Sequence, residues 1–127
     1  MLYSSLIRER FRQPRHRGRL DAPDAAHEDV NPLCGDRIRI ECRLDGDRLA
    51  EARFSGDSCA IAAASADLLI DLVEGRPAAR AAAITVDDLV GRLGAEIRRT
   101  RLKCVALPLS VLRAALSLPL PTAERAG

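Results

Sequence analysis

The sequence predicts an α+β fold, and three observations carry that reading. Ile38, Ile40, Cys42 and Leu44 alternate with Arg37, Arg39, Glu41 and Arg43, the period of two that marks a half-buried strand. Asp45-Gly46 is a tight-turn pair, and Arg48 to Phe54 alternates again, so the two runs fold back as an antiparallel hairpin. Beyond the hairpin, Ile61, Ala64, Leu68, Leu69, Leu72 and Val73 fall at helical spacing until Gly75 stops the pattern.

The remaining elements follow from the same signals. Tyr3, Ile7 and Phe11, flanked by Leu2 and Leu6, form one stripe of an amphipathic helix over residues 2–12, which Pro14 ends. From Gln13 to Pro32 there are three prolines and no periodicity, so this stretch reads as a long loop. In the return strand Leu49 breaks the alternation and is expected on the polar face. Ser55-Gly56-Asp57-Ser58 is turn chemistry and puts Cys59 in the first turn of the next helix. Thr85 with Asp88 is a capping-box variant opening a helix over Val86 to Leu93, closed by Gly94. A last helix carries Leu109, Leu112 and Leu116, with Pro108 acceptable only in its first turn and Cys104 preceding or opening it. Pro119 and Pro121 stop that pattern.

A length of 127 residues suits one domain over 1–127, with a flexible N-terminal arm over about 1–30 and a disordered tail over about 119–127. Apolar residues make up 47% and charged residues 30%, which excludes low-complexity classes; Tyr3, Phe11 and Phe54 are the only aromatics, so aliphatic side chains and alanine must build the core. No apolar run reaches the roughly 18 residues of a membrane span, and the N-terminus has no signal-peptide core. The cytoplasm is therefore the expected compartment, with no membrane partner. A net charge of +2 and so few aromatics argue against nucleic acid. Arg8, Arg10, Arg12, Arg15, Arg17 and Arg19 crowd one segment against a single Glu9, which reads either as a docking arm for an acidic partner or as a solvated helix and loop.

In a reducing compartment Cys34, Cys42, Cys59 and Cys104 are read as metal ligands, nucleophiles or core residues rather than disulfides. Cys34 precedes the first strand, while Cys59 and Cys104 sit where loops enter helices. Free backbone N–H groups at such ends favour an anion, which suits a thiolate nucleophile or ligand. Gly35 allows a sharp turn, and Asp36 brings a hard oxygen to the same point. No C-x-x-C pair is present, so spacing alone leaves scattered core cysteines open as the alternative.

The order of the local contexts carries a resemblance. YSSLIRERFRQPRHRGRL, NPLCGDRIRI, FSGDSCAIAAASADLL and RLKCVALPLSVLRAAL resemble, in that order, the start and the three cysteine motifs of the iron–sulfur scaffold family, comprising IscU, SufU and the N-terminal domain of NifU. The resemblance implies one SufE/IscU-like α+β domain, a three-stranded antiparallel sheet packed by helices, with the cysteines converging at one end. It implies that Cys34, Asp36, Cys59 and Cys104 hold Zn2+ or a labile [2Fe-2S] cluster, Asp36 being the weak ligand. It also implies a cysteine desulfurase of SufS/IscS type as sulfur donor and apoproteins or carrier proteins as recipients. Thr100-Arg101-Leu102-Lys103-Cys104 lacks the LPPVK motif and the His of IscU and resembles SufU at the third cysteine, although the SufU stretch between the second and third cysteines is absent.

Two functions compete within the resemblance: a cluster scaffold that accepts sulfur, and a zinc-dependent sulfurtransferase that relays persulfide and holds no cluster. Cys34 is the SufU-like acceptor and Cys104 the IscU-like one; Arg101 and Lys103 are candidate docking residues. A zinc-stabilised interaction module without chemistry is a third possibility. Cys42, on the inward face of its strand, is expected in the core. His16 and His27 are candidate fourth ligands but more commonly solvent-exposed loop residues, and Ser58 and Ser65 are read as cap and packing residues.

Overall fold

A computed structural model describes residues 4–117. The chain runs α1 (Ser5–Arg12), β1 (Ala25–Val30), β2 (Arg37–Asp45), β3 (Arg48–Ser55), α2 (Ala60–Val73), β4 (Arg76–Pro77), α3 (Arg80–Ala83), α4 (Val86–Leu93), a 3-10 turn (Arg99–Arg101) and α5 (Leu102–Ser117). The expected tail over 119–127 lies outside the described residues.

The sheet is antiparallel in the order β1-β2-β3-β4, four strands rather than the expected three. β1 lies inside the stretch 13–32 expected as a loop. Ala25, His27 and Asp29 stand opposite Cys42, Ile40 and Ile38, but only Ala25 is apolar and buried and Asp29 is exposed, so no alternation marks the strand. β4 is two residues long and ends on Pro77, which suits an edge that needs no further donor.

The β2–β3 hairpin forms as expected, with one correction. The register shifts at Arg43/Leu44, so that Leu44 faces Leu49 and Ala50 becomes the extra residue. That bulge turns Leu49 inward, where it is fully buried, and leaves Ala50 exposed. Ile38, Ile40, Cys42, Leu49, Ala52 and Phe54 thus share one inner face, covered by α5 over β1 and β2 and by α2 over β3. Cys42 is core, and burial pushes its thiol up to about 12, with the neighbouring Glu41 charge adding to the effect.

The arm expected over 1–30 is packed from Ser4 onward. The Ser4 hydroxyl caps α1 by accepting from the Ile7 N–H and donates to the Leu93 carbonyl at 2.7 Å. Ile7 and Arg10 are buried against α2, where Arg10 Nη1 donates to Asp67 Oδ2 at 2.6 Å and Nη2 to Asp71. Residues 16–18 then run along the edge of β3 away from β2, where Arg17 forms a parallel bridge with Phe54, and Arg19 and Leu20 continue as a strap to the Glu41 side chain of β2. Phe54 N–H donates to the His16 carbonyl at 2.9 Å and Gly18 N–H to the Phe54 carbonyl at 2.8 Å. Leu20 N–H and Arg19 Nε donate to the Glu41 carboxylate at 2.8 and 2.7 Å, while Arg17 lies 5.8 Å over the Phe54 ring. These arginines serve internal contacts, so the segment is not the free basic arm that its composition suggests.

The capping box of α4 is present in both directions between Thr85 and Asp88, and Gly94 ends the helix in the left-handed conformation at φ 67°. α5 departs from expectation: Pro108 is inside it rather than in its first turn. Its ring removes the N–H that would bond the carbonyl of Cys104, one turn earlier. Buried Leu107, Leu109, Val111 and Leu112 hold that turn in the core despite the lost bond.

Candidate metal centre

Three chain segments meet at one end of the sheet. The first is loop 31–36, closed on itself: Asn31 N–H donates to the Asp36 carbonyl at 2.7 Å, and Gly35 N–H and Cys34 N–H donate to the Asn31 carbonyl at 2.7 and 3.2 Å. Gly35 at φ 77° makes the reversal that L residues resist. The loop leaves Cys34 exposed and Asp36 buried, two residues apart.

The second segment is the turn from β3 into α2. Gly56 is at φ 118°, and a Cβ there would lie 2.3 Å from the carbonyl oxygen of Arg37, so only glycine permits this approach to β2. Arg37 N–H donates to the Asp57 carbonyl at 2.8 Å, fixing the approach. Cys59 is then the N-cap of α2, its Sγ 3.4 Å from the donating Ala62 N–H. The third segment is α5, which brings in Cys104 near its start, 1% exposed.

Asp36 is the hub. Its Oδ1 accepts from the Cys59 N–H at 2.8 Å, and its Oδ2 accepts from Cys34 Sγ at 3.2 Å and Cys59 Sγ at 3.5 Å. One ligand atom from each of Cys34, Asp36 and Cys104 falls within a mutual 4.8 Å. Burial pushes the Asp36 carboxyl up, but the Cys59 N–H and the thiols of Cys34, Cys104 and Cys59 outweigh it and hold it below the usual range. Burial, the Cys59 thiol and the Asp36 charge push the Cys104 thiol up to about 12. Burial, Cys59 and Asp36 thus oppose the thiolate that a helix start was expected to favour at Cys104.

The donor set suits a soft or borderline cation. A tetrahedron with Zn–S bonds of about 2.3 Å has sulfur–sulfur edges of about 3.8 Å, close to the spacing of the Cys34, Asp36 and Cys104 ligand atoms, which lie within 4.8 Å of one another. Cys34, Cys59 and Cys104 would supply sulfur and Asp36 one oxygen. The histidines are elsewhere. His16 Nε2 is 2.6 Å from Asp71 Oδ1, near the opposite end of α2 from Cys59, and His27 sits in β1 opposite Ile40. Arg101 and Lys103 are half-buried beside Cys104. Gly56 was not legible as a site residue: its sequence signal is that of any turn, and its role comes from the backbone it touches.

The fold and this cysteine–carboxylate constellation define a class. The chain belongs to the NifU-like N-terminal domain family, whose sequence profile matches residues 2–118. It is 40% identical over 76 residues to the zinc-dependent sulfurtransferase SufU of Bacillus subtilis, covering 59% of this chain and 50% of that one. It is 32% identical over 83 residues to the iron–sulfur cluster assembly scaffold protein IscU of Streptococcus pyogenes, covering 65% and 52%. The chain thus spans about half the length of these two relatives. A crystal structure of a scaffold protein of the SUF system from Fervidobacterium islandicum superposes with a TM-score of 0.75 at 22% identity, over 90% of this chain and 96% of that one, and shares the fold. No helix among the described residues is long and apolar enough to cross a membrane.

Proposed function

We propose that the chain is an iron–sulfur assembly protein that accepts sulfane sulfur from a cysteine desulfurase and holds Zn2+ or a labile [2Fe-2S] cluster at Cys34, Asp36, Cys59 and Cys104. The observation that carries this reading is the convergence of Cys34, Asp36 and Cys104 within 4.8 Å, with Cys59 bonded to the same carboxylate. Three sulfurs anchor the metal, and a carboxylate in the fourth place leaves it exchangeable. The set needs reduced thiols, which fits the cytoplasm.

Cys34 is the better sulfur acceptor of the two candidates, because it is exposed while Cys104 is 1% exposed with its thiol pushed up to about 12. The Cys34 thiolate attacks the terminal sulfur of the donor persulfide; a new S–S bond forms at Cys34, the donor S–S bond breaks, and the donor cysteine leaves as thiolate. Sulfane sulfur moves without net oxidation. Apoproteins or carrier proteins would receive the product, and Arg101 and Lys103 flank the site as docking residues.

A second reading is a zinc-dependent sulfurtransferase that never holds a cluster, favoured by the 40% identity to SufU. Metal analysis of anaerobically purified protein, with Cys34→Ser, Asp36→Ala, Cys59→Ser and Cys104→Ser variants, tests both. About one zinc per chain, lost in the cysteine variants, supports the relay. Iron with matching sulfide supports the scaffold, and absence of metal from every preparation overturns the site.

A further inference from the structure

Leu33 stands at the tip of loop 31–36 with 84% of its surface in water, and Val30, at the loop's entry from β1, is 49% exposed. The loop is not loose. Besides the backbone bonds that close it, the Leu33 N–H donates to Asn31 Oδ1 at 3.2 Å, so the large apolar side chain is held outward beside the exposed thiol of Cys34. Nothing among the described residues covers it, and a partner that does would gain the apolar burial that folding leaves unused.

Charge is uneven on the two segments that lead into the site. Arg98 and Arg99 are exposed and Lys103 half-buried on the segment leading into Cys104, and none of the three has an ion-pair partner among the described residues. Glu28 and Asp29, exposed on β1, carry the opposite sign beyond Val30. Exposed apolar residues on a segment of the site, with charged residues on the neighbouring segments, have the composition of a protein interface.

We propose that Leu33, with Val30, is the apolar anchor on which the sulfur-donating protein docks, and that Arg98, Arg99 and Lys103 meet an acidic surface beside that protein's persulfide. This rests on the sulfur-acceptor reading above. The donor's sulfur has to come within about 3–3.5 Å of Cys34 Sγ, so the residue adjoining Cys34 lies inside any productive contact. A second copy of this chain on the same patch would cover Cys34 and close it to a donor, which favours the donor itself as occupant.

The test compares wild type, Leu33→Ser, Leu33→Met and Arg98→Glu/Arg99→Glu as acceptors from the cysteine desulfurase of the source organism, with persulfide on Cys34 read by mass spectrometry. Leu33→Ser raises the apparent KM about tenfold, Leu33→Met restores it, and the charge reversal raises KM and reduces its salt dependence. Zinc content, and sulfur uptake from glutathione persulfide, which has no docking surface, stay at the wild-type level in Leu33→Ser. Unchanged KM in Leu33→Ser, with transfer to wild type intact, overturns the anchor and leaves the acceptor reading standing. So does a Leu33-dependent dimer by light scattering with KM unchanged. No transfer to wild type at all overturns both.

Discussion

The backbone N–H of Cys59 donates to Oδ1 of Asp36 at 2.8 Å, joining the first residue pair of the site across two elements that are 23 positions apart in sequence. Asp36 therefore does two jobs: one oxygen fixes where α2 begins, and the other faces the thiols.

The two jobs separate by substitution. Asp36→Asn keeps an acceptor for the Cys59 N–H, whereas Asp36→Ala leaves that donor unpaired. A hydrogen bond to a charged group contributes about 1.5–3 kcal/mol, and a neutral one about half as much. In zinc-free protein, urea unfolding should place Asp36→Ala about 2 kcal/mol below wild type and Asp36→Asn between them. Equal stability of the two variants would mean that the bond does not hold the turn.

Gly56 controls the same geometry from the other side. Its Cβ position collides with the Arg37 carbonyl, and neither backbone is free to yield, since Arg37 N–H is already bonded to Asp57. Gly56→Ala is expected to cost about 2 kcal/mol or more and to weaken zinc binding by shifting Cys59 away from Asp36. Gly46→Ala is the control: at φ 63° with nothing within 4 Å of its Cβ, it costs about 1 kcal/mol in strain and leaves zinc affinity unchanged. Chelator competition on both variants checks the difference; equal losses of affinity would remove Gly56 from the site.

What the sequence revealed and what it hid divide along physical lines. The β2–β3 hairpin was legible because its apolar period matches the buried face, α2 because its apolar run ends at Gly75, although Ile61 to Ile70 are buried on every side and not on one face, and the Thr85–Asp88 box because capping is local. β1 was hidden because an edge strand packed by α5, with Ala25 its one buried residue, needs no apolar alternation. Leu49 was misplaced because a bulge is a property of the pair, not of either strand. The arginines of the N-terminal segment looked free because their acids, Asp67, Asp71 and Glu41, lie far along the chain. In the candidate site the three cysteines and Asp36 were named from their motifs; the buried state of Cys104 and the contact of Gly56 with Arg37 come only from packing.

The strap to Glu41 makes one pH-dependent contribution whose sign can be worked out. Burial of Glu41 pushes its carboxyl up from 4.5, but the Leu20 N–H and the guanidinium groups of Arg39 and Arg19 outweigh burial and lower it. Because the folded value is below the unfolded one, the folded state binds fewer protons, and this contribution is fully present above about pH 5. It is lost as pH falls through the folded value, when the strap's anchor becomes neutral. Urea unfolding of zinc-free protein from pH 7 to pH 3 should show stability declining below about pH 4.5. Glu41→Gln should be less stable at pH 7 and should decline less steeply, converging on wild type at the acid end. Parallel curves for the two proteins would show that the strap is held by its backbone bonds to Phe54 and not by Glu41.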